Sequence, residues 1–299
     1  MSANARICVI YTPTARGGKA RHMRQRLEQL GARCAFKPTL AAGDGVRLAT
    51  ESVNQGFDVV VAAGGDGTLN EVLNGIAIAP DGLKRAALGV IPLGTVNVFA
   101  RELCLPMKLE RAWRHIEAGT TRTVDVGVAV YGPPGAGQRR HFVQLGGAGL
   151  DARAIELVDW KLKQRVLQFA YVVAGFKALA ESRPTISCEA DGARYTGELV
   201  LLGNGRFYGG QLPVFPAAAL NDGFLHAAVF ARVTLWTILR YALGFISGSL
   251  LMPGNVTLLR SKEFRLSADA PVPFELEGDL IGRLPATFQV HDEPLRVIC

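Results

Sequence analysis

Gly64-Gly65-Asp66-Gly67-Thr68-Leu69-Asn70-Glu71 is the stretch of this chain whose residue types and spacing most plainly suit chemistry. Three glycines in four positions let a backbone approach a ligand closely. A helix starting behind them would present unpaired N–H groups and the positive end of its dipole. That arrangement suits phosphate. The stretch has neither the Gly-Lys-Ser/Thr of a Walker loop nor the GxGxxG of a dinucleotide fold. A carboxylate at Asp66, beside phosphates, makes sense where a cation bridges the two. The bland alternative is a tight strand–helix turn with a capping box, Thr68 as N-cap and Glu71 three residues on, and for Glu71 that reading is preferred. It leaves Asp66, between two glycines, without a purpose. Pro92-Leu93-Gly94-Thr95-Val96-Asn97 is a second polar glycine turn. Its Thr95 and Asn97 either face the same ligand or, in the case of Thr95, cap a helix.

Such turns need strands to carry them. Arg6–Tyr11, Asp58–Ala63 and Ala86–Ile91 are short apolar runs, the last two continuous enough for strands buried on both faces. Between them, Gly18–Leu30 has Ala20, Met23, Leu27 and Leu30 on one helical face, and Leu69–Ala77 and Val96–Leu103 also read as helices. This order predicts a doubly wound, mostly parallel sheet, with ligands beyond the carboxyl ends of the strands. The pattern changes after residue 121. Thr121–Tyr131, His141–Gly147, Thr185–Ala190, Arg194–Leu202, Phe224–Phe230, Val256–Ala268, Phe274–Leu276, Ala286–Val290 and Leu295–Ile298 read as strands. Asp191-Gly192 is a hairpin turn signal, and a long amphipathic helix is expected over Ala152–Glu181. The sequence therefore predicts an α/β domain followed by a largely antiparallel β domain.

The 299 residues include 33 basic and 26 acidic side chains. Residues 1–37 hold eight basic side chains against Glu28 alone, so the excess of +7 is local and the rest is neutral. This excludes a histone-like protein but allows a local anionic partner. No aromatic residue interleaves the charges of the basic N-terminal helix, so nucleic acid is not expected. Five scattered cysteines form no CxxC and the five histidines show no ligand spacing, so no zinc site is expected. The longest uncharged run, Tyr241–Leu259, is broken by Gly, Ser, Pro and Asn, which argues against a spanning helix and for a cytoplasmic protein.

GGDGTLNEVLNG followed by PLGTVNVFAREL closely resembles the diacylglycerol kinase catalytic-domain family, particularly the bacterial lipid kinases. GGDGT alone is shared with NAD kinases and phosphofructokinases; the two motifs at this spacing are specific. The likeness continues through Gly146–Ala152, Gly203–Gly210, Pro216–Leu225 and Glu277-Gly278-Asp279, and so spans nearly the whole chain. It implies a Rossmann-like α/β nucleotide-binding domain over residues 1–125, completed by 287–299. It also implies an antiparallel β-sandwich for lipid and metal over 126–286, with a cleft between the two.

The resemblance puts ATP on Gly64, Gly65, Asp66, Gly67, Thr68, Leu69, Asn70, Glu71, Thr95 and Asn97, and on Thr39 by its distance ahead of Gly43-Asp44. It implies Mg²⁺ on the Asp222 carboxylate and the carbonyls of Ala219 and Phe224, against a plain Asn-Asp-Gly hairpin turn as the alternative. The general base is expected at Asp279, with Glu277 in reserve and the two acids exchanged relative to the family. Two further departures are Thr12-Pro13 for Asn-Pro and Val98 for an Asp. The implied activity is transfer of the ATP γ-phosphoryl group to a hydroxyl of diacylglycerol, phosphatidylglycerol or a sphingoid base, with Asp66 and Mg²⁺ offsetting phosphate charge. The alternatives are an NAD-kinase-like enzyme and an inactive nucleotide- or lipid-binding protein. A lipid substrate at the inner membrane face and peripheral contact through the basic N-terminal region are expected, with the oligomeric state, homodimer included, left open.

Overall fold

Short runs of β-branched and small apolar residues make the parallel strands of the first of two units. The computed structural model describes residues 5–13, 19–29, 33–133, 136–157, 183–237, 239–240, 243 and 254–299. In it β1 (Ile7–Tyr11), β2 (Cys34–Pro38), β3 (Val59–Gly64) and β4 (Ala87–Pro92) lie side by side. Every residue of β1, β3 and β4 is buried, as in a parallel sheet covered on both faces. The helices between them are α1 (Lys19–Gln29), α2 (Asp44–Asn54), α3 (Asp66–Ile78) and α4 (Gly82–Arg85). After β4 come α5 (Val98–Glu102), α6 (Leu109–Ala118) and β5 (Thr121–Val124). Met23 and Leu27 of α1 are fully buried in one cluster with β1, β3 and Trp113 of α6. The side chains of Ala20 and Leu30 lie outside the described residues.

The second unit is built from antiparallel strands: β6 (Gly127–Tyr131), β7 (Gln138–Phe142), β8 (Leu145–Gly149), then α7 (Leu150–Leu157). There follow β9 (Ile186–Ala190), β10 (Ala193–Gly197), β11 (Leu199–Gly203), β12 (Phe207–Tyr208), β13 (Leu212–Pro213) and β14 (Leu225–Phe230). The last are β15 (Val256–Ser261), β16 (Glu263–Ala268), β17 (Pro273–Leu276), β18 (Asp279–Arg283) and β19 (Ala286–Val290). They form sheets of order β10-β9-β16-β19-β6-β7 and β15-β14-β11-β8-β17-β18. Phe142, Phe264 and Phe288 from the first sheet and Val200, Leu225, Phe274 and Leu276 from the second share one buried cluster. The Phe274 and Phe288 rings meet edge to face at 5.5 Å. This is a β-sandwich. The final strand, β20 (Leu295–Ile298), joins the first unit's sheet, whose order is β2-β1-β3-β4-β20-β5.

The two units are Met1–Val126 with His291–Cys299, and Gly127–Val290. The return to the α/β unit thus begins at His291 rather than 287, because β19 pairs with β6 and β16. Four strands expected as continuous are each two. The chain changes sheets at Asp125–Val126, Val143–Gln144, Glu198 and Lys262, a turn of direction that apolar patterning does not register. Asp191 and Gly192 both have positive φ and join β9 to β10 as a two-residue hairpin, as their types predict. β2, α2 and α6 add elements that the apolar runs do not mark. Of the helix expected at Ala152–Glu181, only the part up to Leu157 lies in described residues. Among the described residues no helix is long and apolar enough to cross a membrane.

α2 and α3 pack backbone against backbone at Gly75. A Cβ there would lie 2.3 Å from the Val46 carbonyl oxygen and 2.5 Å from Ala49 Cβ. Gly75→Ala should therefore lower stability by about 1–3 kcal/mol, although alanine favours helix, and a chemical unfolding curve will show it as a lower midpoint.

Candidate functional site

The sheet order reverses between β1 and β3, and in open α/β sheets that switch point is where ligands bind, beyond the carboxyl ends of the strands. Thr12 follows β1, Thr39 follows β2, and α3 begins directly after β3. Thr12 Oγ1 lies 3.1 Å from Thr39 Oγ1 and 3.1 Å from Thr68 Oγ1, so three hydroxyls form one chain. Thr39 is buried and its N–H donates to the Tyr11 carbonyl at 2.8 Å. Thr12 was not among the expected ligand residues. Its position immediately after an apolar strand at the switch point is the signal that marks it. The N-cap of α3 is Gly65, without a side-chain cap bond. The opening N–H groups of this helix have no intrahelical partner and stand at its positive end, which suits an anion.

Asp66 has a purpose in the fold itself. Its carboxylate accepts the N–H groups of Asn97 (Oδ2, 3.0 Å) and Val98 (Oδ1, 2.9 Å), tying the first glycine turn to the second. Burial raises its pKa above the usual carboxylate value, and the bonds from Val98 and Asn97 oppose that rise. The glycines serve the same join. A Cβ on Gly94 would sit 2.5 Å from Gly65 Cα, and one on Gly64 would sit 2.3 Å from Thr68 Oγ1. Close approach here is within the protein, of backbone to backbone at Gly65 and Gly94 and of backbone to side chain at Gly64.

The capping box does not form. α3 starts at Asp66, ahead of Thr68, and Glu71 reaches to another helix. Its carboxylate accepts the N–H groups of Gly43 and Gly45, each at 2.8 Å, at the start of α2. Asn97, left-handed at φ 52°, is the N-cap position of α5, and its Nδ2 donates to the Gly94 carbonyl. It braces the turn; Thr95 is not the cap, and is exposed. Leu69 packs in the core, and Asn70 is buried with its carbonyl accepting Asn74 Nδ2. Gly67 and Thr68 open the helix and are partly exposed, so Thr39, Gly67, Thr68 and Thr95 line the end of the sheet while Leu69, Asn70, Glu71 and Asn97 support it.

In the sandwich, Ala219, Asp222 and Phe224 lie in one turn before β14. The turn is not a hairpin, because β13 and β14 are unpaired with each other and belong to different sheets. The Asp222 N–H donates to the Ala219 carbonyl at 3.2 Å, and Asp222 Oδ1 accepts the Phe224 N–H at 3.0 Å. His226 Nε2 lies 3.1 Å from Asp222 Oδ2, and Arg260 Nε lies 3.7 Å from it. A carboxylate with neighbouring backbone carbonyls is a donor set that fits a hard, oxygen-seeking cation. No group of three or more His, Cys, Asp or Glu among the described residues gathers for a metal, so a cation here needs those carbonyls.

Glu277 and Gly278 form the two-residue turn between β17 and β18, both at positive φ. Glycine, Asn and Asp suit that conformation; Glu is uncommon there and strained. Its carboxylate compensates. Glu277 Oε1 accepts the N–H groups of Val143 and Gln144, each at 2.8 Å, at the corner where the chain leaves one sheet for the other. Asn204 secures the same corner, with Nδ2 donating to the Val143 carbonyl and its N–H to that of Gln144. Asp279, two residues on, is exposed.

Residues 6–129 match the diacylglycerol kinase catalytic domain, and residues 145–299 match the YegS C-terminal NAD kinase beta sandwich-like domain. A diacylglycerol kinase of Bacillus subtilis (strain 168) is 32% identical over 290 residues, covering 94% of this chain and 91% of the relative. One from Staphylococcus saprophyticus is 32% identical over 289 residues, covering 94% and 90%. A crystal structure of a diacylglycerol kinase from Bacillus anthracis str. Sterne shares the fold, with a TM-score of 0.70, 22% identity and coverage of 98% and 96%. With both halves matched and the relatives aligned almost end to end, the chain belongs to the diacylglycerol kinase family, phosphotransferases that use an alcohol group as acceptor.

Proposed function

We propose that this protein transfers the γ-phosphoryl group of ATP to the free hydroxyl of a membrane lipid, with diacylglycerol the leading acceptor because the aligned relatives carry that name. The observation that carries the reading is the joined pair of glycine turns at the switch point, closed by Asp66 and faced by the Thr12–Thr39–Thr68 hydroxyl chain. Phosphoryl transfer demands positioning and charge stabilisation more than covalent chemistry, and this end of the sheet offers both. Thr39, Gly67, Thr68 and Thr95 orient the phosphates, with Gly64 and Gly65 leaving the room for Thr68 and the Gly94 turn to close on them. Asp66, Leu69, Asn70, Glu71 and Asn97 hold the loops in shape. Asp279 accepts the proton of the attacking lipid hydroxyl, a role supported by its exposure and by the commitment of Glu277 Oε1 to two amides. Mg²⁺, held by Asp222 with Ala219 and Phe224, would supply positive charge to the sandwich turn.

A second reading is favoured by one observation: the match of residues 145–299 to an NAD kinase-like sandwich. Radiolabelled ATP offered with a lipid extract and, separately, with NAD distinguishes the two. Label in a lipid supports the first reading; label in NADP alone replaces it.

Peripheral membrane contact through the basic N-terminal region belongs to the same proposal. Arg24 is exposed but paired with Glu28, and Arg26 is paired with Glu110, which narrows the charge available to lipid headgroups. Joint charge reversal of Arg21 and Arg24 should weaken binding to phosphatidylglycerol vesicles without changing ATP affinity; vesicle binding at the original strength removes this surface from the proposal.

Two site predictions follow from the clamps. Asp66→Asn leaves one backbone N–H facing an amide group, and should lower turnover about a hundredfold by loosening the two turns. The same change should lower stability by about 1–3 kcal/mol, so turnover and a melting curve are read together. Asp279→Asn should lower kcat by about 10²–10⁴-fold with an unchanged melt, and Glu277→Gln should lower it less. The reverse order identifies Glu277 as the base.

A further inference from the structure

Directly behind the Glu277-Gly278-Asp279 turn lies a chain of three titratable groups outside the expected site, Tyr208 and Glu275 buried and Asp151 partly so. Tyr208 Oη is 2.8 Å from Asp151 Oδ2 and 2.8 Å from Glu275 Oε1. Glu275 Oε2 accepts the Gly278 N–H at 2.7 Å. Gly147 of β8 makes room for the chain. A Cβ there would lie 2.7 Å from Tyr208 Oη, 3.0 Å from Asp151 Oδ2 and 3.1 Å from Glu275 Oε1. Two of the three glycines of the Gly146–Ala152 motif are thereby accounted for, since Gly146 is closed off in the same way by Leu276.

Proton counting constrains these contacts. A phenol carries one proton, so it can donate to only one of two carboxyls at hydrogen-bond distance. The other contact needs a proton from the facing acid. Two ionised carboxylates sharing one phenol, with no cation beside them, would also leave a buried like-charge pair, which is strongly disfavoured. Glu275 is fully buried, and among the described residues no basic group acts on Asp151 or Glu275. The titratable groups facing Glu275 are Asp151 from α7, Tyr208 from β12 and Glu277 from its own turn, none of them basic. Burial pushes both acids above the ordinary carboxylate range, and the Asp151 charge adds to the rise at Glu275. Tyr208 is raised as well, chiefly by burial, and keeps its proton.

We propose that the Asp151–Tyr208–Glu275 chain holds one acid proton in the native protein, and that in this state Glu275 is a positioning residue, taking the Gly278 N–H and setting the turn that carries Glu277 and Asp279. The proton is shared between the two acids, with Tyr208 donating to one and accepting from the other. An uncharged amide at Glu275 reproduces this state. Its oxygen accepts the Gly278 N–H, its NH₂ donates to Tyr208, and Tyr208 donates to an ionised Asp151. Loss of the shared proton at alkaline pH brings two negative charges together behind the turn and displaces it.

The turnover part of this inference rests on the lipid-kinase reading; the stability part does not. Unfolding is measured from about pH 5 to about pH 8 on the full chain and on Glu275→Gln. The native acid binds its proton more tightly than the unfolded chain does, so its stabilisation is present at acid pH and is lost as pH rises. The wild-type folding constant should fall relative to Glu275→Gln as pH rises above the ordinary carboxylate range, by at most about tenfold per pH unit. A difference between the two that is constant with pH overturns the shared proton. In turnover on diacylglycerol–phosphatidylglycerol micelles, Glu275→Ala should lose about a hundredfold in kcat, with the KM for ATP unchanged. Glu275→Gln should restore most of that loss and lack the wild-type alkaline decline. Equal loss in both variants overturns the positioning role. No turnover of wild type on any lipid overturns the kinase reading instead, while the unfolding comparison still decides the proton.

Discussion

Backbone N–H groups at the places where this chain turns are satisfied by carboxylates arriving from distant elements. Asp66 takes the amides of Asn97 and Val98, Glu71 those of Gly43 and Gly45, and Glu277 those of Val143 and Gln144. Asp44 does the same locally for Leu40 and Ala41, and Glu198 takes the Val233 N–H at another sheet-changing corner. A buried amide without a partner costs about 1–3 kcal/mol, so the clamps on buried Asn97, Val98, Val143 and Gln144 remove a penalty that a sharp turn would otherwise carry. A carboxylate accepts two such bonds and draws them to one point, which fixes direction as well as energy.

The same clamps serve the proposed chemistry. A kinase must hold a polyphosphate against rigid donors, and the turns that supply them are loops, the most deformable parts of a fold. Here Asp66 joins two of them into one body, with Gly65 and Gly94 in backbone contact beneath. In the sandwich the turn bearing Asp279 is held on one side by the Glu277 carboxylate and on the other by Glu275. Its left-handed Glu277 is strained, and the strain persists because these bonds over-determine the position. Exposed Asp279 then projects from a fixed frame.

Much of this is legible in the sequence. The buried strands β3 and β4, the two glycine turns and the Asp191-Gly192 hairpin all announce themselves, since each depends on neighbours within a few residues. Errors fell where one interaction outranked a local rule. Thr68 and Glu71 have the spacing of a capping box, yet Glu71 turns to the two amides opening α2, where a second helix's orphan donors attract it more. The run His141–Gly147 has strand character throughout, yet breaks where Glu277 captures consecutive amides. Thr12 was passed over because its importance lies in hydroxyls on two other elements.

By itself the sequence determined the order of α/β and β halves, the positions of the glycine turns and the family, because periodicity, turn chemistry and motif spacing are written along the chain. Tertiary structure alone decided what each acid does. The partners of Asp66 are 31 and 32 residues away, that of Glu71 at Gly43 is 28 away, and that of Glu277 at Val143 is 134 away. An aspartate between two glycines reads the same whether it meets a metal, a phosphate or a pair of amides. Only the folded chain brings one of these within 3 Å, and burial then makes that one partner decisive.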